Sequence, residues 1–273
     1  MEKMALNTYL LNEEEKATTD GSTFKPISPK NVYEVIRIQE GIPLFLKDHL
    51  ERFRKSAEML HISLSLSDSE IKHRILFLIQ QNKAEFINLK LIWDDQQNLL
   101  IFFQNTVYPP QRYYQTGMHT TLLKLKREDP NIKVQRAAYQ ERVLAEREKQ
   151  QAYEVLLVDQ HDFITEGSRS NLFIVKNQEL YTSPSANVLL GIVRKKVFAI
   201  CQEEGIVIHE QNIPVADIAT IEAAFITGTG NNVLPIRTIN DQLLNSAENP
   251  LVKRIMEKFD ACIQEDIRQF KTA

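Results

Sequence analysis

Two kinds of hydrophobic periodicity take turns along this chain, and their order limits the folds open to it. Short runs rich in β-branched and aromatic residues read as strands: VYEVIRI (32–38), FINLKLIW (86–93), LLIFFQNTVY (99–108), YEVLLVD (153–159), NLFIVK (171–176) and AAFITGTG (223–230). GIPLFL follows the first as the second arm of a hairpin. Between the runs lie stretches with helical spacing. Leu50, Phe53, Ala57 and Leu60 form one stripe, with Asp48 as the expected cap, and further helices are expected from about Ser67 to Gln81, from about Arg136 to Gln151, and from Gly191 to Gly205. The order is not a strict βαβ alternation, so the expected class is α+β in two layers, not a doubly wound parallel sheet. At 273 residues, two modest domains are affordable. The stretch YPPQRYYQTG (108–117) has the prolines and terminal glycine of a connection, which predicts a smaller domain over 1–112 and a larger one over 118–273.

Composition removes several functions. Hydrophobic residues at 43% and charged residues at 25% describe an ordinary folded chain. A formal charge of -3 leaves no basic excess to neutralise a nucleic-acid backbone. Cys201 and Cys262 do not have zinc-clamping spacing, so reduced structural thiols and no metal site are expected. No apolar run approaches the roughly 20 residues of a membrane helix, and the N-terminal segment lacks a signal-peptide core, so the expectation is a cytoplasmic protein without membrane or nucleic-acid partners.

Four separated segments carry residue types that a phosphorylated pyridine aldehyde needs. Lys133 in DPNIKVQ offers an amine, although a lone lysine is more often solvated. Glu166 in FITEGSRSN offers a carboxylate that could keep a pyridine nitrogen protonated, and is otherwise a turn residue. Gly191 in LLGIVRKKV opens a helix whose first amides could cradle a phosphate. Thr229 in FITGTGNNVLP could add a hydroxyl, in a turn that fits neither the dinucleotide fingerprint nor the phosphate loop. Arg52 could supply a bidentate charge to the same phosphate.

In this order, with VYEVIRI and HLERFRKSAE ahead of them, the segments resemble the class IV aminotransferases, the fold type IV pyridoxal-phosphate enzymes. That family includes branched-chain and D-amino acid aminotransferases and aminodeoxychorismate lyases. The resemblance runs from Val32 to Ile239. It implies a small N-terminal and a larger C-terminal domain with the site between them in a homodimer, and pyridoxal 5'-phosphate as cofactor. It implies Lys133 as Schiff-base former and proton carrier and Glu166 on the ring nitrogen. Arg52, Thr229 and the amides of Ile192 and Val193 would hold the phosphate, with Tyr33, Val35, Lys90 and Gly230 on the substrate side. The reaction implied is transfer of an amino group between a branched-chain-like L-amino acid and a 2-oxo acid.

The sequence departs from the family pattern in places. GIVR stands for GITR, so Val193 lacks a hydroxyl. Tyr139 is one residue late for the tyrosine that meets the cofactor's phenolic oxygen, and SPKN (28–31) replaces a Gly-Asp turn. Val35, where the lyase branch carries threonine, argues against the lyase alternative. Asp94, Asp95, Gln96 and Gln97 cannot form the carboxylate clamp of the D-amino acid branch. A non-catalytic homologue acting as a binding subunit is a further alternative, opposed by the presence of both Lys133 and Glu166. His49 is read as structural.

Overall fold

The computed structural model describes residues 4–19, 27–125, 130–133 and 137–272. The chain divides into two units: Met1–Val107 with Ile132–Gln135 and Ile263–Ala273, and Tyr108–Asn131 with Arg136–Cys262.

In the first unit the strands are β1 (Met4–Leu11), β2 (Glu14–Ala17), β3 (Asn31–Gln39), β4 (Ile42–Pro43), β5 (Phe86–Asp94) and β6 (Leu99–Gln104), with helices α1 (Leu46–Met59) and α2 (Asp68–Asn82). Among the described residues they form a six-stranded sheet in the order β2-β1-β6-β5-β3-β4. Period-two alternation gives the sheet two different faces. Val32, Ile36 and Ile38 of β3, with Leu89, Leu91, Ile101 and Phe103, meet Leu50, Phe53 and Ala57 of α1 and Ile71, Ile75 and Leu78 of α2 in one buried core. Ile92, Leu100, Phe102 and Tyr9 form a smaller cluster, with Tyr33 against it.

Asp48 does not cap α1. The chain enters the helix directly from β4 through Phe45, whose left-handed backbone (φ 51°) leaves no side-chain cap, and Asp48 sits in the first turn, where its charge favours the positive helix end. Helix α2 has the reciprocal capping box of Ser67 and Glu70.

The second unit holds α3 (Arg112–Thr116), β7 (Met118–Lys124), α4 (Ala137–Gln150), β8 (Glu154–Val158), β9 (Phe163–Gly167), β10 (Asn171–Lys176), β11 (Glu179–Thr182), α5 (Ile192–Glu204), β12 (Ile208–Glu210), β13 (Ile213–Pro214), β14 (Ala223–Gly228), β15 (Asn232–Ile239), β16 (Gln242–Leu243) and the start of α6 (Pro250–Thr272). Among the described residues its ten-stranded sheet runs β12-β11-β10-β14-β15-β7-β8-β9-β13, with β16 on β15. The sheet is mixed: β7 pairs parallel with both β8 and β15, whereas β10 pairs antiparallel with β14. The polar helix expected before β14 is a 3-10 turn, Val215–Thr220. The start of α4 expected at Arg136 lies outside the described residues.

The division differs from the expected one in two ways. The stretch read as a connection belongs to the second unit, because Arg112–Thr116 coils into α3 and packs Tyr113 and Tyr114 on that unit's core. Ile132–Gln135 and Ile263–Ala273 belong to the first unit, a long-range assignment that no local pattern announces.

Candidate active site

Lys133 is half-buried, and in the first unit its carbonyl accepts a hydrogen bond from the Tyr33 amide (3.2 Å), which ties the lysine segment to β3. Its Nζ lies 5.0 Å from the centre of the Tyr33 ring, and the Nζ of Lys90 lies 4.5 Å from the same centre. Lys90 is 1% exposed and pairs across the sheet with Val35. Lys133, Tyr33, Val35 and Lys90 are therefore gathered around one ring, whose electron-rich face attracts both cations.

Arg52 reaches the same strand from α1. Its Nε and Nη2 donate to the two oxygens of Glu34, each at 2.7 Å, and His49 Nδ1 lies 2.7 Å from Oε2. Glu34 has no solvent exposure. Burial alone would push its carboxyl up, but the Arg52 charge and the bonds from His49 and Arg52 prevail and hold it far below the ordinary carboxylate range. Burial lowers the His49 imidazole against the pull of Glu34, with the charges of Arg52 and Lys133 lowering it further. Glu34 escaped the sequence reading, yet its signal was visible: a carboxylate at a core-facing phase of VYEVIRI must have a partner.

In the second unit Glu166 sits near the end of β9 with 1% exposure. Its Oε2 accepts from the backbone amide of Leu189 (3.1 Å) and from Asn171 Nδ2 (3.4 Å), and the Asn171 nitrogen also donates to the Leu189 carbonyl (2.8 Å). Below this loop lies Glu154, also fully buried, which accepts from the hydroxyls of Ser168 (2.5 Å) and Ser170 (3.0 Å). Asn171 and Glu154 were both missed as supports for Glu166, although each stands inside a motif the resemblance uses.

Helix α5 starts with extended Gly191 and no side-chain cap, so no side chain is spent on the first-turn amides, and Ile192 and Val193 are buried there. The side chain of Arg194 is not directed to a ligand. It donates to the Ser183 carbonyl (3.1 Å) and Glu210 (3.0 Å) and lies over Phe198. Thr229 and Gly230 are half-buried in the turn joining β14 to β15. Two positions before Thr229, Thr227 is 1% exposed, and its hydroxyl has no hydrogen-bond partner among the described residues.

Other positions in the sequence reading have structural roles. Tyr139 donates its hydroxyl to the Ser168 carbonyl (2.8 Å). Asp94 accepts from the amides of Ser28, Gln96 and Asn98, so it organises its own turn and also holds SPKN in place. Burial pushes the Cys201 thiol up to about 11. Among the described residues no His, Cys, Asp and Glu cluster is suited to a metal, and no helix is long and apolar enough to cross a membrane.

Comparison with known proteins matches residues 31–239 to the family model for amino-transferase class IV. The D-alanine aminotransferase of Bacillus licheniformis is 30% identical over 239 residues, covering 82% of this chain and 84% of its own. A Methanocaldococcus jannaschii protein assigned as a branched-chain-amino-acid aminotransferase is 28% identical over 245 residues, covering 84% and 85%. Among solved structures, a branched-chain amino acid aminotransferase with pyridoxamine 5'-phosphate, from the source abbreviated T.th., superimposes with a TM-score of 0.84 at 19% identity over 96% of both chains. The Escherichia coli branched-chain enzyme gives 0.82 at 20% over 95% of both. With the fold matched along nearly its whole length and the family model spanning most of its residues, the chain belongs to the class IV aminotransferases.

Proposed function

We propose that this chain transfers an amino group between an amino acid and a 2-oxo acid, with Lys133 as the residue that carries pyridoxal 5'-phosphate and a branched-chain-like L-amino acid as the preferred donor. The observation that supports this best is the buried, clasped carboxylate of Glu166 next to the uncapped start of α5, in a chain of a pyridoxal-phosphate family.

The residues fit the cofactor. The unsatisfied Thr227 hydroxyl and the capless α5 amides are donors suited to a phosphate, and a buried carboxylate is suited to a protonated ring nitrogen. When bound, pyridoxal phosphate supplies an aldehyde that accepts the amino group and a ring that withdraws electrons from the substrate's α-carbon. In this reading Glu166 keeps the ring nitrogen protonated. The Lys133 amine moves a proton at the substrate's α-carbon. Arg52, Thr229 and the amides of Ile192 and Val193 hold the phosphate, while Glu34 fixes the plane of the Arg52 guanidinium. Tyr33, Val35, Lys90 and Gly230 line the substrate side, with Lys90 as the cation for a substrate carboxylate. A homodimer completes the proposal, and light scattering should then report twice the 31.6 kDa of the chain.

The test is an absorbance spectrum of the purified protein with pyridoxal phosphate, followed by borohydride reduction and peptide mapping. A reducible band that maps to Lys133 and is lost in Lys133→Ala is the expected result; no band, or one fixed on another lysine, overturns it. Mixing with single amino acids then reads the donor. Faster bleaching by L-leucine or L-valine than by D-alanine supports the preference, and the reverse order overturns the preference while leaving the cofactor assignment standing.

A further inference from the structure

The first residue of β10, Asn171, connects two features that the proposed chemistry treats separately, the Glu166 carboxylate and the start of α5. Its side chain is 4% exposed. A carbonyl can only accept, so the 2.8 Å contact with the Leu189 carbonyl identifies the amide nitrogen, and the same nitrogen is the one 3.4 Å from Glu166 Oε2. The Leu189 amide donates to that oxygen as well. Two donors converging on one oxygen fix the plane of a carboxylate, and so fix where its second oxygen points.

The amide oxygen of Asn171 faces the other way. A Cβ built on Gly191 would lie 2.2 Å from it, a distance no pair of non-bonded atoms tolerates. The backbone of Gly191 is ordinary extended chain (φ -65°, ψ 144°), open to any residue. Its lack of a side chain therefore answers to space, and the group needing that space is the Asn171 amide.

We propose that Asn171 is a positioning residue that aims Glu166 at the cofactor's ring nitrogen, and that position 191 is glycine because any side chain there would displace the Asn171 amide. The proposal rests on the reading of Glu166 as the ring-nitrogen partner. An alanine at 191 pushes the amide out of its bonds with Leu189 and Glu166. An alanine at 171 removes the same bonds directly. Both changes thus act on one group, and their effects overlap instead of adding.

The test uses the full chain loaded with pyridoxal phosphate labelled with nitrogen-15 in the ring, whose nuclear resonance reports whether that nitrogen is protonated. Glu166→Gln should move the signal toward the unprotonated form. Asn171→Ala and Gly191→Ala should each move it part of the way, and the double variant no further than Asn171→Ala alone. Asn171→Asp, close in shape but without the donor, is read in the same way wherever Asn171→Ala fails to fold by circular dichroism. A wild-type signal in a folded Asn171 variant, while Glu166→Gln shifts, overturns the role of Asn171. Additive shifts from the Gly191 and Asn171 changes overturn the link between them. If Glu166→Gln itself leaves the signal unmoved, the role of Glu166 falls, and that of Asn171 with it.

Discussion

Glu34 shows how much a single buried charge can demand of its surroundings. With no water to solvate it, the carboxylate depends on both arms of Arg52 and on His49. Removing one member of such a pair leaves an uncompensated ion, so Glu34→Ala should destabilise the protein by about 3–5 kcal/mol in urea unfolding. The pH dependence follows from the same cluster. His49 binds its proton more weakly folded than unfolded, so its neutral form contributes stability that is present above the ordinary imidazole value of about 6.5 and is lost as pH falls below it. Glu34 is shifted in the same direction, and its contribution is lost only below the ordinary carboxylate value of about 4.3. Urea midpoints should therefore fall between pH 7 and pH 5 with a slope that His49→Gln reduces; equal slopes in the two proteins would exclude this role for His49. The sequence revealed Lys133, Arg52 and Glu166 because each stands in a recognisable motif. Asn171 and Glu34 were harder to read, since their roles exist only once distant segments meet.

Elements whose ends are set by local chemistry were readable. Helix α5 begins after Gly191 and ends at Gly205, as the glycine signals predict, and α2 follows its Ser67 cap. Elements set by distant partners were not: β1 and β2 escaped notice, and the stretch with two prolines passed for a connection although Arg112–Thr116 is helical. Two glycines with left-handed backbone separate the conformational from the spatial demand. At Gly205 (φ 64°) a Cβ would meet nothing within 4 Å, whereas at Gly117 (φ 75°), which ends α3, it would lie 2.7 Å from the Arg237 amide nitrogen. Gly205→Ala should cost about 1 kcal/mol from backbone strain alone. Gly117→Ala should cost about 2–4 kcal/mol, because packed backbone must move as well. Equal costs in urea titration would mean that the backbone around Gly117 yields freely.

At the scale of the whole chain, the C-terminal segment Ile263–Ala273 belongs to the same unit as the N-terminal strands. An amphipathic helix announces that it will bury one face, but nothing in its own residues states which core receives that face, so this pairing was not legible. Its contacts in the first unit are specific. Asp266 accepts from the Phe45 amide (2.7 Å) at the uncapped start of α1, Lys271 pairs with Glu40 (2.7 Å), and the Phe270 ring lies under Lys72. Ile263 and Ile267 are buried at 4% and 3% exposure. The surface ion pair is worth little, whereas two buried isoleucines contribute about 3–6 kcal/mol together. A net stability on the order of 5–15 kcal/mol cannot lose that much without consequence. Truncation after Cys262 should therefore lower the urea midpoint and open the first unit to proteolysis, with early cuts falling between residues 4 and 107. Asp266→Ala keeps the isoleucines and removes only the substitute cap of α1, so its cost should be about 1–3 kcal/mol. If the truncated chain instead resists protease as the full chain does, the first unit holds α1 without help from the C-terminus, and the long-range pairing follows folding instead of supporting it.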